Sequence, residues 1–154
     1  MLLPRFDFHE PTTVEEACRL LAQFGIKAKP LAGGTDLMVN MKEKIVPPGH
    51  VVSLSRIEAL KQARKENGCY SIGACVTVAE LIESESIQKD LPALVCGAEN
   101  LGTPLIRNLA TIGGNLGSAR PAADLPLPLM AYDARVILES TKERRTVSLN
   151  HFFM

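Results

Sequence analysis

Two glycine pairs, each set between a short apolar run and a hydrogen-bonding side chain, constrain this chain more than any other feature. The first lies in Leu31-Ala32-Gly33-Gly34-Thr35-Asp36-Leu37 and the second in Ala110-Thr111-Ile112-Gly113-Gly114-Asn115. Adjacent glycines let the backbone turn where a side chain would collide, so main-chain N–H groups can converge on one concavity. Such a concavity binds an anion, in biology most often a diphosphate. Two of them in 154 residues, the size of one domain or two small lobes, point to one extended ligand gripped from both sides. Neither pair is a P-loop, because Lys42 and Lys44 do not stand in a Gly-Lys-Ser/Thr sequence, and neither has Gly-x-Gly-x-x-Gly spacing.

The neighbouring side chains refine this reading. At the first bend Thr35 adds a hydroxyl donor. Asp36 is itself an anion, so it suits capping of the following helix or orientation of Thr35 better than phosphate contact. An ordinary strand-to-helix turn is the alternative for this bend. At the second bend Thr111 and Asn115 add hydrogen-bonding side chains. Arg107 and Arg120 lie near it in sequence, where each either neutralises a phosphate or makes a surface pair. Asp124 falls within the Gly-, Ala-, Ser- and Pro-rich stretch from Asn115 to Pro128, which suits a loop wrapped around a ligand. A carboxylate there accepts bonds from sugar hydroxyls or caps a helix, and both readings stay open.

The rest of the chain reads as short alternating elements. Thr13 with Glu16 forms a capping box ahead of an apolar stripe of Val14, Ala17, Leu21 and Phe24, which Gly25 closes; Cys18 reads as core filler beside it. Lys29 to Ala32 is a strand entering the first bend, Thr35 is placed to cap a helix to Lys42, and Val51 to Leu54 is a second strand. Asn67-Gly68 signals a hairpin. Thr77 caps a helix, Pro92 opens another, and Gly102 to Asn108 reads as a loop. A short helix near Asp124 to Tyr132 precedes two alternating strands, Arg135–Glu139 and Arg145–Leu149. Phe152 and Phe153 either dock on the body or precede further chain.

Composition narrows the function. The formal net charge is zero, which disfavours a nucleic-acid or anionic-membrane partner. The cluster Lys61, Arg64 and Lys65 is flanked by Glu58 and Glu66 and reads as a solvated face. No apolar stretch approaches the roughly 20 residues of a membrane span, and acid and proline come too early for a signal peptide, so a cytoplasmic location is expected. Cys18, Cys69, Cys75 and Cys96 are scattered like His9, His50 and His151, so buried free thiols rather than a metal site are expected. No residues form an acid–base pair or a nucleophile with its base, so redox chemistry requires a bound cofactor.

These motifs, in order and at these separations, resemble the FAD-binding subunit of the molybdenum hydroxylases, the group of xanthine dehydrogenase and carbon monoxide dehydrogenase. The resemblance is carried by Phe6-Asp7-Phe8-His9-Glu10-Pro11, both glycine motifs, Ile106-Arg107-Asn108, Pro121-Ala122-Ala123-Asp124-Leu125 and the final hairpin, and covers essentially the whole chain. It implies an α+β, two-lobed FAD-binding fold of the vanillyl-alcohol-oxidase (PCMH) type. Residues 1–56 would form a small α/β lobe and residues 57–154 a larger mixed-sheet lobe. By motif match, Pro30, Leu31, Ala32, Gly33, Gly34, Thr35, Asp36 and Leu37 line one side of the FAD. Thr111, Ile112, Gly113, Gly114 and Asn115 hold the other side, Leu101 makes an apolar contact, and Asp124 bonds the ribityl or ribose part.

The resemblance also implies partners. A molybdopterin subunit hydroxylates a substrate carbon, and an iron–sulfur subunit carries electrons to the FAD and on to NAD, a quinone or another acceptor. Such a subunit is not active alone. Family members carry a further C-terminal domain after the equivalent of Phe153, so a fragment, a truncated frame or a split subunit is expected. The alternatives are a stand-alone flavin oxidase fragment and a cofactor-free docking or relic subunit of such a complex.

Overall fold

The computed structural model describes residues 3–153, so Met1 and Leu2 of the opening stretch and Met154 of the final one lie outside the described residues. Short strands alternate with helices at the start: β1 (Asp7–His9), α1 (Val14–Phe24), β2 (Ala28–Leu31), α2 (Leu37–Lys42) and β3 (His50–Ser53). Strands joined through a helix cross over rather than fold back, and they pair in parallel. The sheet order is β1-β3-β2, with Phe8 opposite Val51 and Pro30 opposite Val52. Pro30 lacks an N–H and stands on an edge strand, where a sheet tolerates it.

Thr13 Oγ1 accepts the Glu16 N–H at 3.1 Å, but Glu16 reaches back to the Thr12 N–H, so the expected box is displaced by one residue. The apolar stripe of α1 packs with Ala28, Val52 and Ile57 into the smaller of two core clusters. Cys18 is not core filler: its thiol reaches the Glu139 carbonyl at 3.4 Å and stays partly exposed. Helix α2 begins without a side-chain cap, so neither Thr35 nor Asp36 takes that role.

The remainder is largely helical. Asn67-Gly68 joins β4 (Ala63–Glu66) to β5 (Cys69–Ile72) as a hairpin. Helices α3 (Val78–Glu83), α4 (Glu85–Asp90), α5 (Pro92–Asn100), α6 (Pro104–Arg107), α7 (Ile112–Ser118) and α8 (Pro126–Ala131) follow, then the hairpin of β6 (Arg135–Glu139) and β7 (Arg144–Ser148). Among the described residues the two hairpins remain separate ladders, so this part carries no single mixed sheet. Helices α3, α4, α5 and α8 instead bury Leu81, Ile87, Leu94 and Leu129 in the larger cluster.

Helix α6 occupies what reads as loop. Thr103 Oγ1 accepts the Ile106 N–H, and Pro104 takes the first helical position. The second glycine pair is likewise helical, inside α7. Phe152 packs against the larger cluster and Phe153 meets it edge-on. Lys61 pairs with Glu58 and Lys65 with Asp90, so the basic cluster is a solvated face. Burial of the thiols holds for Cys75 alone, because Cys69 and Cys96 are exposed.

Thr77 caps α3 with a complete box: its Oγ1 accepts the Glu80 N–H at 3.2 Å, and Glu80 accepts the Thr77 N–H at 2.7 Å. Thr77→Ala removes one arm of this box, and the expected loss is about 1 kcal/mol. Urea unfolding checks it: the midpoint falls while the slope is retained.

Candidate functional site

The first bend rests against the segment that leads into the second. A Cβ added to Gly33 would lie 1.7 Å from the Leu109 carbonyl oxygen, and one added to Gly113 would lie 2.6 Å from that of Ala74. Only bare backbone approaches so closely. The second contact is stitched further. Val78 donates to the Ala110 carbonyl at 2.9 Å, Ile112 to Val76 at 3.0 Å and Gly113 to Ala74 at 2.9 Å. Thr77 and Thr111 form an isolated antiparallel bridge there.

Between the bends lies a cavity of about 690 Å³, within the roughly 300–1,000 Å³ that small molecules and cofactors occupy. Every residue from Pro30 to Leu37 lines it, as do Leu101, Thr111, Gly113, Gly114, Asn115 and Asp124. Ile112 alone among the motif residues turns away, into the larger core cluster.

The two walls differ chemically. At the first, Gly34 has φ +75°, and the N–H groups of Gly33, Gly34, Thr35 and Asp36 find no acceptor among the described residues. This is an anion-accepting arrangement of main-chain donors. At the second, the expected nest is absent, because its donors are used internally. Ile112 and Gly113 donate to the Val76 and Ala74 carbonyls, Gly114 to Thr111 Oγ1 and Asn115 to the Thr111 carbonyl. Thr111 is the N-cap of α7, and the glycine pair forms its first turn. What this wall offers is Asn115 Oδ1, which is buried with no hydrogen-bond partner. Gly117, one turn on, leaves open space where a Cβ would stand.

The arginines separate cleanly. Arg107 Nη1 donates to the carbonyls of Glu99, Leu101 and Gly102, so it satisfies the end of α5 rather than the cavity. Arg120 lines the cavity and pairs with Asp36, Nε to Oδ1 at 3.1 Å. Asp124 also lines the cavity and does not cap α8, whose N-cap is Leu125. Sequence reading passed over Lys29, Asn40 and Ser118, which also line it. Asn40 stands one helical turn after Asp36 and Ser118 one turn after Gly114, so helical spacing from the motif residues was the available signal. Burial pushes the Cys75 thiol up, next to lining residue Ala74, and its Sγ approaches the Leu54 carbonyl. Among the described residues, no group of three or more His, Cys, Asp or Glu comes together to hold a metal.

Unpaired amides on one wall and a partnerless buried acceptor on the other fit a ligand that is anionic in one part and donates hydrogen bonds in another. Residues 4–154 match the family described as the FAD-binding domain in molybdopterin dehydrogenase. The chain belongs to this family of FAD-binding domains. It is 39% identical to the carbon monoxide dehydrogenase medium chain of Hydrogenophaga pseudoflava, over 100% of this chain and 54% of that protein. It is 36% identical to the xanthine dehydrogenase FAD-binding subunit of Escherichia coli O157:H7, over 96% of this chain and 51% of that one. The solved structure of the Hydrogenophaga pseudoflava carbon monoxide dehydrogenase, lacking the Mo-pyranopterin moiety of its molybdenum cofactor, superposes with a TM-score of 0.97 over 100% of this chain and 54% of that one. The chain thus spans about half the length of these relatives.

Gly33→Ala forces the Leu109 carbonyl away, with an expected loss of about 1–3 kcal/mol in chemical unfolding. Gly117→Ala meets open space within a helix, and a gain of about 0.5–1 kcal/mol is expected. Equal effects at the two positions would contradict the packing described.

Proposed function

We propose that this chain is the FAD-binding electron-transfer part of a molybdenum hydroxylase-type dehydrogenase. Its partners would be an iron–sulfur subunit that delivers electrons and a molybdopterin subunit that oxidises the substrate, with NAD or another acceptor taking the electrons onward, in the cytoplasm. Activity would require the assembled complex. The family match and the names of the relatives support this reading. No helix among the described residues is long and apolar enough to cross a membrane.

The observation that carries the reading is the pairing of unsatisfied groups across one cavity: the amides of residues 33–36 on one side and Asn115 Oδ1 on the other. In the proposed site the amides hold the diphosphate, Asn115 accepts from the cofactor, and Leu101 gives it an apolar contact. Asp124 accepts from sugar hydroxyls. The lobes would be residues 1–56 and 57–154 of a vanillyl-alcohol-oxidase-type fold; a parallel sheet in one and the larger core in the other support that division. When bound, the flavin supplies the redox chemistry that no side chain of the site offers. The protein's own task is to orient the cofactor and shield it from water.

Purified with FAD in excess, the protein is expected to retain about one flavin per chain, and absence of flavin absorbance would refute the proposal. Asn115→Leu removes the partnerless acceptor. Its expected signature is a ligand-free protein at least as stable as the parent, since a buried unpaired acceptor costs about 1–3 kcal/mol, together with weaker FAD binding. Thermal melts with and without FAD read both effects.

A further inference from the structure

Resting on the FAD reading above, we infer that Arg120 recognises the cofactor's diphosphate, with Asp36 and Asn40 holding its guanidinium in place. Helix α7 ends at Ala119 in the left-handed region, with φ 48°, and the chain then turns toward α2 on the opposite wall. Arg120 there reaches Asp36 Oδ1 through Nε at 3.1 Å and Asn40 Oδ1 through Nη2 at 3.4 Å. A guanidinium carries a rigid fan of donors, and these two contacts leave both Nη1 hydrogens and one on Nη2 unengaged. Asp36 directly follows Gly33, Gly34 and Thr35, whose amides have no acceptor among the described residues. Main-chain donors and a planar cation therefore converge on one bend, and the diphosphate is the anionic part of the proposed ligand.

Stability does not account for this arrangement. The Arg120 and Asp36 side chains are 52% and 38% exposed, and ion pairs at such positions contribute little. Nor is the cavity generally basic. Asp36 and Asp124 line it along with Lys29 and Arg120, so recognition is local rather than a broad positive field. Asp36 thus acquires a role that a phosphate site does not obviously offer a carboxylate: it is a positioning residue for the arginine.

The test is a fluorescence titration of the chain of residues 1–154, as wild type, Arg120→Gln and Arg120→Lys, with FAD and separately with riboflavin, at several salt concentrations. Riboflavin shares the flavin ring and lacks phosphate. Arg120→Gln is expected to weaken FAD binding about 10- to 100-fold, the loss of a charged hydrogen-bond partner. Riboflavin binding stays unchanged, and the salt dependence of FAD binding flattens. Arg120→Lys recovers part of the loss, since a point charge replaces a fork. The inference is overturned if the wild type binds FAD and Arg120→Gln binds it equally tightly, or if the variant weakens both flavins alike. If the wild type binds no FAD, the FAD reading itself fails and the role of Arg120 goes with it.

Discussion

Two contacts made without side chains govern this molecule. Gly33 lies against the Leu109 carbonyl and Gly113 against Ala74, at distances that leave no room for a methyl group. The first holds the bend after β2 against the approach to α7, and the second holds the start of α7 against the segment ahead of α3. Protein interiors do not yield to misfit of this size without shifting neighbouring backbone. Gly33, Gly113 and Ala74 all line the cavity, so both contacts lie on its walls.

The walls are unlike, and the difference gives the site its direction. One presents main-chain N–H groups without acceptors, and the other spends its N–H groups on its own structure and presents a buried side-chain oxygen. A dinucleotide has a matching polarity, with anionic phosphates in the middle and groups that donate hydrogen bonds toward its ends. The ion pair of Asp36, just after the first glycine pair, and Arg120, just past the end of α7, spans the walls. It sets a side-chain cation beside the unpaired main-chain donors of the first bend. A family of FAD-binding domains is a natural home for such a cleft, since the cofactor carries the redox chemistry and the protein supplies position.

Much of the fold was legible from local rules. The cap at Thr77, the Asn67-Gly68 hairpin, the proline start of α5 and the stripe of α1 each depend on neighbours in sequence, and each stands where those rules put it. The failures have two sources, a partner from a distant segment and local caps that the glycines and prolines masked. Thr35 and Asp36 looked like helix caps, but α2 starts without a side-chain cap and Asp36 instead pairs with Arg120 from a distant segment. The second glycine pair looked like a nest, but Thr111 caps a helix through it. The stretch from Gly102 to Asn108 looked like a loop, but a threonine ahead of a proline starts α6 within it.

By itself the chain determined where the glycine pairs fall, which side chains stand beside them and where several caps and the Asn67-Gly68 hairpin form, because these follow from steric freedom and hydrogen-bonding capacity within a few residues. Tertiary structure alone decided that the amides of one bend stay unpaired while those of the other are consumed, and that Arg120 rather than Arg107 reaches the cavity. Both outcomes depend on which carbonyl, hydroxyl or carboxylate each donor meets once the segments are packed, and some of those partners, such as the Ala74 carbonyl and Asp36, come from remote segments.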